Sequence, residues 1–355
     1  MKKALSKNIL SVWYGTASKK WTLVWRLSLP LLWPLSWLFR GLIACRRRCF
    51  SFRHILCAHT NAITVPVIVV GNITLGGTGK TPLLCTLADG FKRRGLRVGI
   101  VSRGYGGSWD RSGGMPRFVL SADDASVVGD EPILLARRTG CPVVIGRDRV
   151  AAVKMLSTGN SVDLILSDDG LQHYALKRDV EILVVDAERG LGNGLCLPAG
   201  ALREPPSRLN DVDFVVVNSA ANTENADKFR ADQLFLNVTP RRWRHVLSHV
   251  EKPLPFFTEG MRVHAVAGIG NPARFFTTLR SMGLHVIEHP LPDHHLFSAA
   301  DLLFADHFPV VMTEKDAVKC ADFAPENSYA LIVDACVSET LFDKLINATK
   351  RRKSQ

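Results

Sequence analysis

The stretch VPVIVVGNITLGGTGKTP, residues 65–82, constrains this chain more than any other. Val65, Val67, Ile68, Val69 and Val70 form a β-branched run with little polar alternation, as in a parallel strand buried on both faces. The glycine-rich loop after it closes on Lys80 and Thr81, and Pro82 suits the first turn of a helix. In such a loop Gly76, Gly77 and Gly79 let backbone N–H groups approach phosphate oxygens. Lys80 reaches the β- and γ-phosphates, and the Thr81 hydroxyl sits on Mg²⁺. The ATP-binding segment then runs Thr74, Leu75, Gly76, Gly77, Thr78, Gly79, Lys80, Thr81, with Thr74 where the GxxxxGK[ST] pattern has glycine. The alternative is a turn that precedes Lys-Thr by accident, and the agreement of strand, loop and helix signals argues against it.

The charge distribution separates the N-terminus from the rest. The net charge is +12, yet no Asp or Glu occurs before Asp89, and residues 1–88 carry 12 Lys and Arg. The remaining 33 basic residues balance all 33 acidic ones, so the basicity belongs to the N-terminus and no nucleic-acid partner is expected. Five of the seven tryptophans, Trp13, Trp21, Trp25, Trp33 and Trp37, lie there too, a residue that favours the bilayer interface. Thirteen uncharged residues separate Arg26 from Arg40, ~20 Å as a helix against a hydrocarbon core of ~30 Å, and Pro30 and Pro34 weaken a span further. Residues 1–60 therefore read as a membrane-inserted or interfacial anchor, with Lys19, Lys20 and Arg46-Arg47-Arg48 against anionic headgroups. A buried amphipathic helix is the structural alternative. Leu42-Ile43-Ala44-Cys45 resembles a lipoprotein cleavage box, but three arginines follow at once and oppose translocation. The eight cysteines contain no CxxC pair, and Cys45, Cys49, His54, Cys57 and His59 fit no common zinc spacing.

Beyond the loop, alternating apolar runs and helical stretches follow βαβ grammar. The fold expected is α/β: a phosphate-loop nucleotide-binding domain with a mostly parallel sheet over 61–225, a linker at 226–258, and a smaller α/β domain over 259–348. A hairpin is expected around Thr239-Pro240-Arg241-Arg242, and Gly106 to Gly114 reads as a loop that covers the site or is mobile. Strand ends of an open parallel sheet line the ligand crevice, which makes Ser102, Arg103 and Tyr105 candidates; a solvated turn is their alternative. Val162 to Leu166 is a strand ending in Ser167-Asp168-Asp169. Adjacent aspartates repel in a dry pocket unless a cation shares them, so beside the phosphate loop Asp168 and Asp169 join Thr81 as Mg²⁺ candidates. Asp130 of Gly129-Asp130-Glu131-Pro132 is also placed to cap a helix. The lone Gly268-Ile269-Gly270 is weak evidence for a second nucleotide, and Glu314 in Thr313-Glu314-Lys315-Asp316 removes support from a GTPase.

TGKTP, SRGYGG, GDEP, SDDGLQH, LPAGALREP, PDHH and TEKD, in this order behind an apolar N-terminal segment, resemble the tetraacyldisaccharide 4′-kinase family, the lipid A 4′-kinases. That resemblance implies transfer of the γ-phosphate of ATP to the 4′-hydroxyl of an acylated glucosamine disaccharide 1-phosphate, giving lipid IVA. The reaction would use Mg²⁺ at the cytoplasmic face of the inner membrane, with membrane lipid around the anchor and no obligatory protein partner. By resemblance Asp130 is the general base and His294 its partner across the site. Ser102, Arg103, Tyr105, Glu131, Arg149, His173, Arg203 and Glu204 match motif positions that line it. The rival reading is a membrane-bound switch ATPase acting on a protein.

Overall fold

The computed structural model describes residues 9–56, 64–120, 122–159, 162–219, 229–230 and 232–353. Cys57 and His59 of the rejected zinc reading, and most of the polar stretch 220–232 read as a junction, lie outside them.

In the first part of the chain, β1 (Val67–Gly71), β2 (Val98–Ser102), β3 (Arg117–Phe118), β4 (Val143–Ile145), β5 (Leu164–Asp168), β6 (Val180–Asp186) and β7 (Phe214–Asn218) stand in the order β7-β6-β1-β5-β2-β4-β3. All pair in parallel except β3, which runs antiparallel to β4 at the edge. Successive β1 side chains point to opposite faces, and both faces are covered. Ile68 and Val70 join the core that includes Leu83, Leu87 and Phe91 of α2 (Lys80–Arg93), whereas Val67 and Val69 pack with Ala152, Val153 and Leu156 from the other side. This explains why β1 reads as an unbroken apolar run.

One strand joins this block to the rest. β8 (Leu234–His245) pairs in parallel with β7 through Leu234–Leu236 and antiparallel with β13 (Ser328–Val337) along nearly all its length. The hairpin expected at residues 239–242 is absent, because those residues sit inside β8 and pair with β13; the turn comes later, where β9 (Glu251–Pro253) folds back on Arg242–Arg244. β10 (Arg262–Ala267), β11 (His285–Pro290) and β12 (Val310–Thr313) complete a second parallel block in the order β11-β10-β12-β13. Among the described residues, the two expected α/β units are thus the two halves of one 13-stranded sheet.

Register along β8 decides how the halves face. β7 meets β8 near Leu236, whereas the part of β13 bound to β12 lies opposite residues 243–245 of β8. The second block is thereby displaced by ~20 Å along β8 and reversed in direction, so the carboxyl ends of both blocks point at one another.

The N-terminal helix α1 (Lys19–Leu56) continues through Pro30 and Pro34, and its stretch Lys19–Phe50 is long and apolar enough to cross a membrane. Leu27, Leu31, Leu38 and Leu42 form an exposed stripe at helical spacing. The opposite side touches the body: Ser36 Oγ donates to the Cys196 carbonyl at 2.8 Å, Phe39 packs on the core beneath, and Arg47 pairs with Asp211 at 2.7 Å.

Candidate active site

A cleft of about 1990 Å³ lies between the opposed carboxyl edges. On one side β1 delivers the phosphate loop. Gly79 caps α2 with φ 92°, and a Cβ there would stand 2.4 Å from the Asn218 amide nitrogen, so the loop needs glycine for both conformation and space. That amide donates to the Thr78 carbonyl at 3.0 Å. Gly76 also has positive φ, with the Arg189 guanidinium where a Cβ would be, while Gly77 lies open. Thr74 bridges to Leu202 and Leu75 N–H donates to the Ala201 carbonyl at 2.9 Å, fixing the loop's first turn despite the missing glycine. Lys80 and Thr81 open α2 and line the cleft.

The end of β5 supplies the acids. Asp168 is buried and accepts from Ser102 Oγ at 3.0 Å; burial, then Glu131 and Asp169, push its carboxyl up to about 7. Burial also opposes charge on Asp169, but Lys80 at 3.3 Å and Arg203 at 3.0 Å outweigh it and hold that carboxyl at about 2. Asp169 adopts φ 47°, a left-handed conformation that turns its side chain toward the loop. Among the described residues no cluster of three His, Cys, Asp or Glu forms a metal cage. That suits Mg²⁺, which takes one or two carboxylates and substrate phosphates. The donors present fit it: a Thr hydroxyl beside the phosphate loop and a buried acid short of positive charge.

After the short α4 (Ala125–Val128), α5 (Asp130–Thr139) begins with Asp130 and Glu131, and Gly129, not Asp130, is its cap residue. Asp130 is buried, and its Oδ2 lies 3.4 Å from Nδ1 of His294, which arrives from the loop after β11. Burial disfavours the Asp130 anion, but His294, Lys315 and Lys319 overcome it and hold the carboxyl well below the usual range. His294 has φ 55°, and strain of this kind in a non-glycine residue clusters at functional sites. Its ring meets Tyr105 edge-on, with centroids 5.2 Å apart.

Of the remaining candidates, Arg103 pairs with Asp110 and lines the cleft beside Ser102 and Tyr105. The loop expected at 106–114 contains a short helix, α3 (Ser108–Ser112), because Asp110 is pinned by Arg103 and by Arg147 at 2.9 Å. Arg149, at the start of α6 (Arg149–Gly159), is buried and donates to the carbonyls of Gly146 and Asp168, serving the backbone as much as the cleft; burial lowers its pKa to about 10. His173 lines the cleft and is pushed down to about 4 by burial, then by Arg149 and Arg178, so it is neutral at pH 7. Glu204 does not line the cleft. It is buried against Arg208 at 3.1 Å and accepts from Gln172 Nε2 at 2.7 Å, so it braces the loop that presents Arg203.

A family model described as Tetraacyldisaccharide-1-P 4′-kinase matches residues 28–350. The chain belongs to the tetraacyldisaccharide-1-P 4′-kinase family. It is 45% identical over 336 residues to the tetraacyldisaccharide 4′-kinase of Hahella chejuensis, covering 94% of each chain. To that of Alkalilimnicola ehrlichii it is 50% identical over 305 residues, 85% of this chain and 87% of the relative. The crystal structure of LpxK from Aquifex aeolicus in complex with ATP superposes with a TM-score of 0.73 at 27% identity, covering 91% of this chain and 99% of that one.

Several groups in this tetraacyldisaccharide-1-P 4′-kinase family member escaped sequence reasoning. Arg189 donates to the Gly270 carbonyl, joining the phosphate loop to the Gly268-Ile269-Gly270 turn. Arg274 of α7 (Pro272–Ser281) donates to Asn218 at 2.9 Å, and Tyr14 OH donates to the Leu75 carbonyl at 2.6 Å. Each is isolated in sequence from the motif it serves, which left no local signal.

Proposed function

We infer that this protein is an ATP-dependent kinase that phosphorylates the 4′-hydroxyl of a tetraacylated glucosamine disaccharide 1-phosphate. The observation that carries the site assignment is the approach of His294 to Asp130 at 3.4 Å across a cleft whose other wall is a phosphate loop. In the reaction the O4′–Pγ bond forms as the Pγ–O bond to ADP breaks, and the hydroxyl proton passes to the Asp130–His294 unit. Phosphoryl transfer asks mainly for positioning and charge neutralisation, which the loop N–H groups, Lys80 and Arg203 supply. Thr81, Asp168 and Asp169 would hold Mg²⁺, which neutralises phosphate charge.

The acceptor partitions into lipid, so the site must meet a bilayer, and α1 supports an interfacial placement. Tyr14, before the apolar stretch, and Arg47, near its end, both contact the globular body, Tyr14 at the phosphate loop and Arg47 at Asp211. A spanning helix would put these two ends on opposite sides of the membrane. The helix therefore lies in the interface, with its leucine stripe in lipid and its basic residues at the headgroups on the cytoplasmic face, where ATP is available.

The test incubates the protein with γ-labelled ATP, Mg²⁺ and the acylated disaccharide 1-phosphate in vesicles. Label in the lipid fraction, lost in D130A and H294A by ~10²–10⁴-fold in kcat, is the expected result. ATP hydrolysis without lipid labelling, stimulated by a protein, would establish the switch ATPase instead.

A further inference from the structure

The TEKD motif, which fails as a guanine-binding loop at Glu314, has a task for each residue. Thr313 caps α8 (Glu314–Cys320), accepting from Asp316 N–H at 3.2 Å and donating to the Asp316 carboxylate at 2.7 Å. Asp316 is fully buried, accepts from Gly268 N–H at 3.0 Å and holds Lys319 at 3.1 Å. Glu314 pairs with Arg138 at the far end of α5 and with Arg244 of β8, both at 3.0 Å. Lys315 then reaches Glu131 at 2.8 Å and Asp130 Oδ2 at 3.8 Å, and Lys319 reaches the same oxygen at 3.4 Å. α8 is locked at one end to the C-terminal block and along its side to α5, so the lysines meet Asp130 from a fixed platform.

We propose that Lys315 and Lys319 are positioning residues of the phosphoryl-transfer site: from the C-terminal block they hold the Asp130 carboxylate in place against His294 and keep the pair free to take the hydroxyl proton. This rests on the reading of Asp130 and His294 as the proton-accepting unit. Asp130 Oδ1 accepts the Glu131 N–H at 3.0 Å, and Oδ2 faces Lys315, Lys319 and His294 together. Both oxygens are thus turned to protein donors or cations. A carboxylate so surrounded is fixed in position, and two lysines bear on the charge of the pair it forms with His294.

The charged and titratable groups around Asp130 come from each element packed against it. Glu131 shares α5, Lys315 and Lys319 come from α8 with Asp316 behind Lys319, and His294 and Asp293 come from the loop after β11. Tyr105 flanks the His294 ring. Removing either lysine removes positive charge from the unit. Whichever member holds the proton then binds it more tightly, and the acid limb of the pH–rate profile moves to higher pH.

The experiment measures kcat/KM for the lipid acceptor from pH 4.5 to 9 in wild type, K315M, K319M, K319R, D130N and H294A, with folding checked by circular dichroism. K315M and K319M should lower kcat about tenfold or more, change KM for ATP less than about twofold, and move the acid limb up by about one pH unit. K319R should restore the limb. An unmoved acid limb in both methionine variants makes the lysines merely structural and overturns the proposal. Near-normal kcat in both D130N and H294A would instead remove the underlying reading of the pair, whatever the lysine variants show. If K319M does not fold, K315M and K319R carry the same comparison.

Discussion

Asp168→Asn makes a demanding test because the structure assigns opposite signs to its effects on stability and activity. In the folded protein burial, Glu131 and Asp169 raise the Asp168 carboxyl to about 7, from an ordinary value of about 4 in the unfolded chain. The folded state therefore holds a proton that the unfolded state releases, and stability falls as pH rises through that window. About three pH units, at ~1.4 kcal/mol each, puts the cost of ionising this side chain above pH 7 at up to about 4 kcal/mol. Asparagine keeps the shape and can still accept from Ser102 Oγ without carrying charge. Without metal, D168N should therefore melt above wild type at pH 8, by a shift on the order of 5 °C, and match it near pH 4.5. Added Mg²⁺ should stabilise wild type at pH 8 and leave D168N nearly unmoved, while phosphoryl transfer by D168N is lost. Thermal denaturation at both pH values, with and without Mg²⁺, decides the matter. A variant less stable than wild type at pH 8 would refute the claim that this acid is short of positive charge.

Other outcomes are equally specific. K80A and T81A should abolish transfer; T81A should leave the melting temperature within about 2 °C, since its side chain belongs to no core cluster, whereas K80A also takes a cation from Asp169 and should lower it, and near-normal turnover in either would remove the loop from the mechanism. G270V places a Cβ 2.8 Å from the Gly77 nitrogen, so it should weaken ATP binding at least tenfold in a calorimetric titration with the fold retained, and unchanged affinity would show that the turn need not approach the loop. R138M leaves buried Glu314 with Arg244 as its remaining cation and should cost about 2–3 kcal/mol in a denaturant titration, less than the full loss of a buried pair. Changing Leu27, Leu31, Leu38 and Leu42 together to serine should release the protein from anionic vesicles while preserving activity on detergent-dispersed acceptor, and equal losses in both assays would make the stripe structural.

Much of this was legible because it is local. Phosphate loops, acidic strand ends and helix caps are set by residues within a few positions of one another, so β1, the phosphate loop, α2, Asp168 and Asp169 were readable as a string. Glu204 was misplaced for the same reason: its motif neighbour Arg203 lines the cleft, and only Arg208 and Gln172 reveal that Glu204 is spent inside the fold. The hairpin expected near Pro240 fails because proline there reads as a break, whereas β8 carries it beside a register shift at Ile332/Val333 of β13.

By itself, then, the sequence determined the α/β class, the nucleotide loop, the acidic pair and the apolar, basic N-terminus, since these follow from periodicity and short-range spacing. Tertiary structure alone decided that the two parallel blocks oppose their carboxyl edges, because that depends on where along β8 each block attaches. The same pairing brings Lys315, Lys319 and His294 to Asp130 from more than 160 positions away, and seats Arg189 between the phosphate loop and Gly270. Contacts across such separations leave no pattern in a single chain, because what selects them is the register and direction of a strand pair.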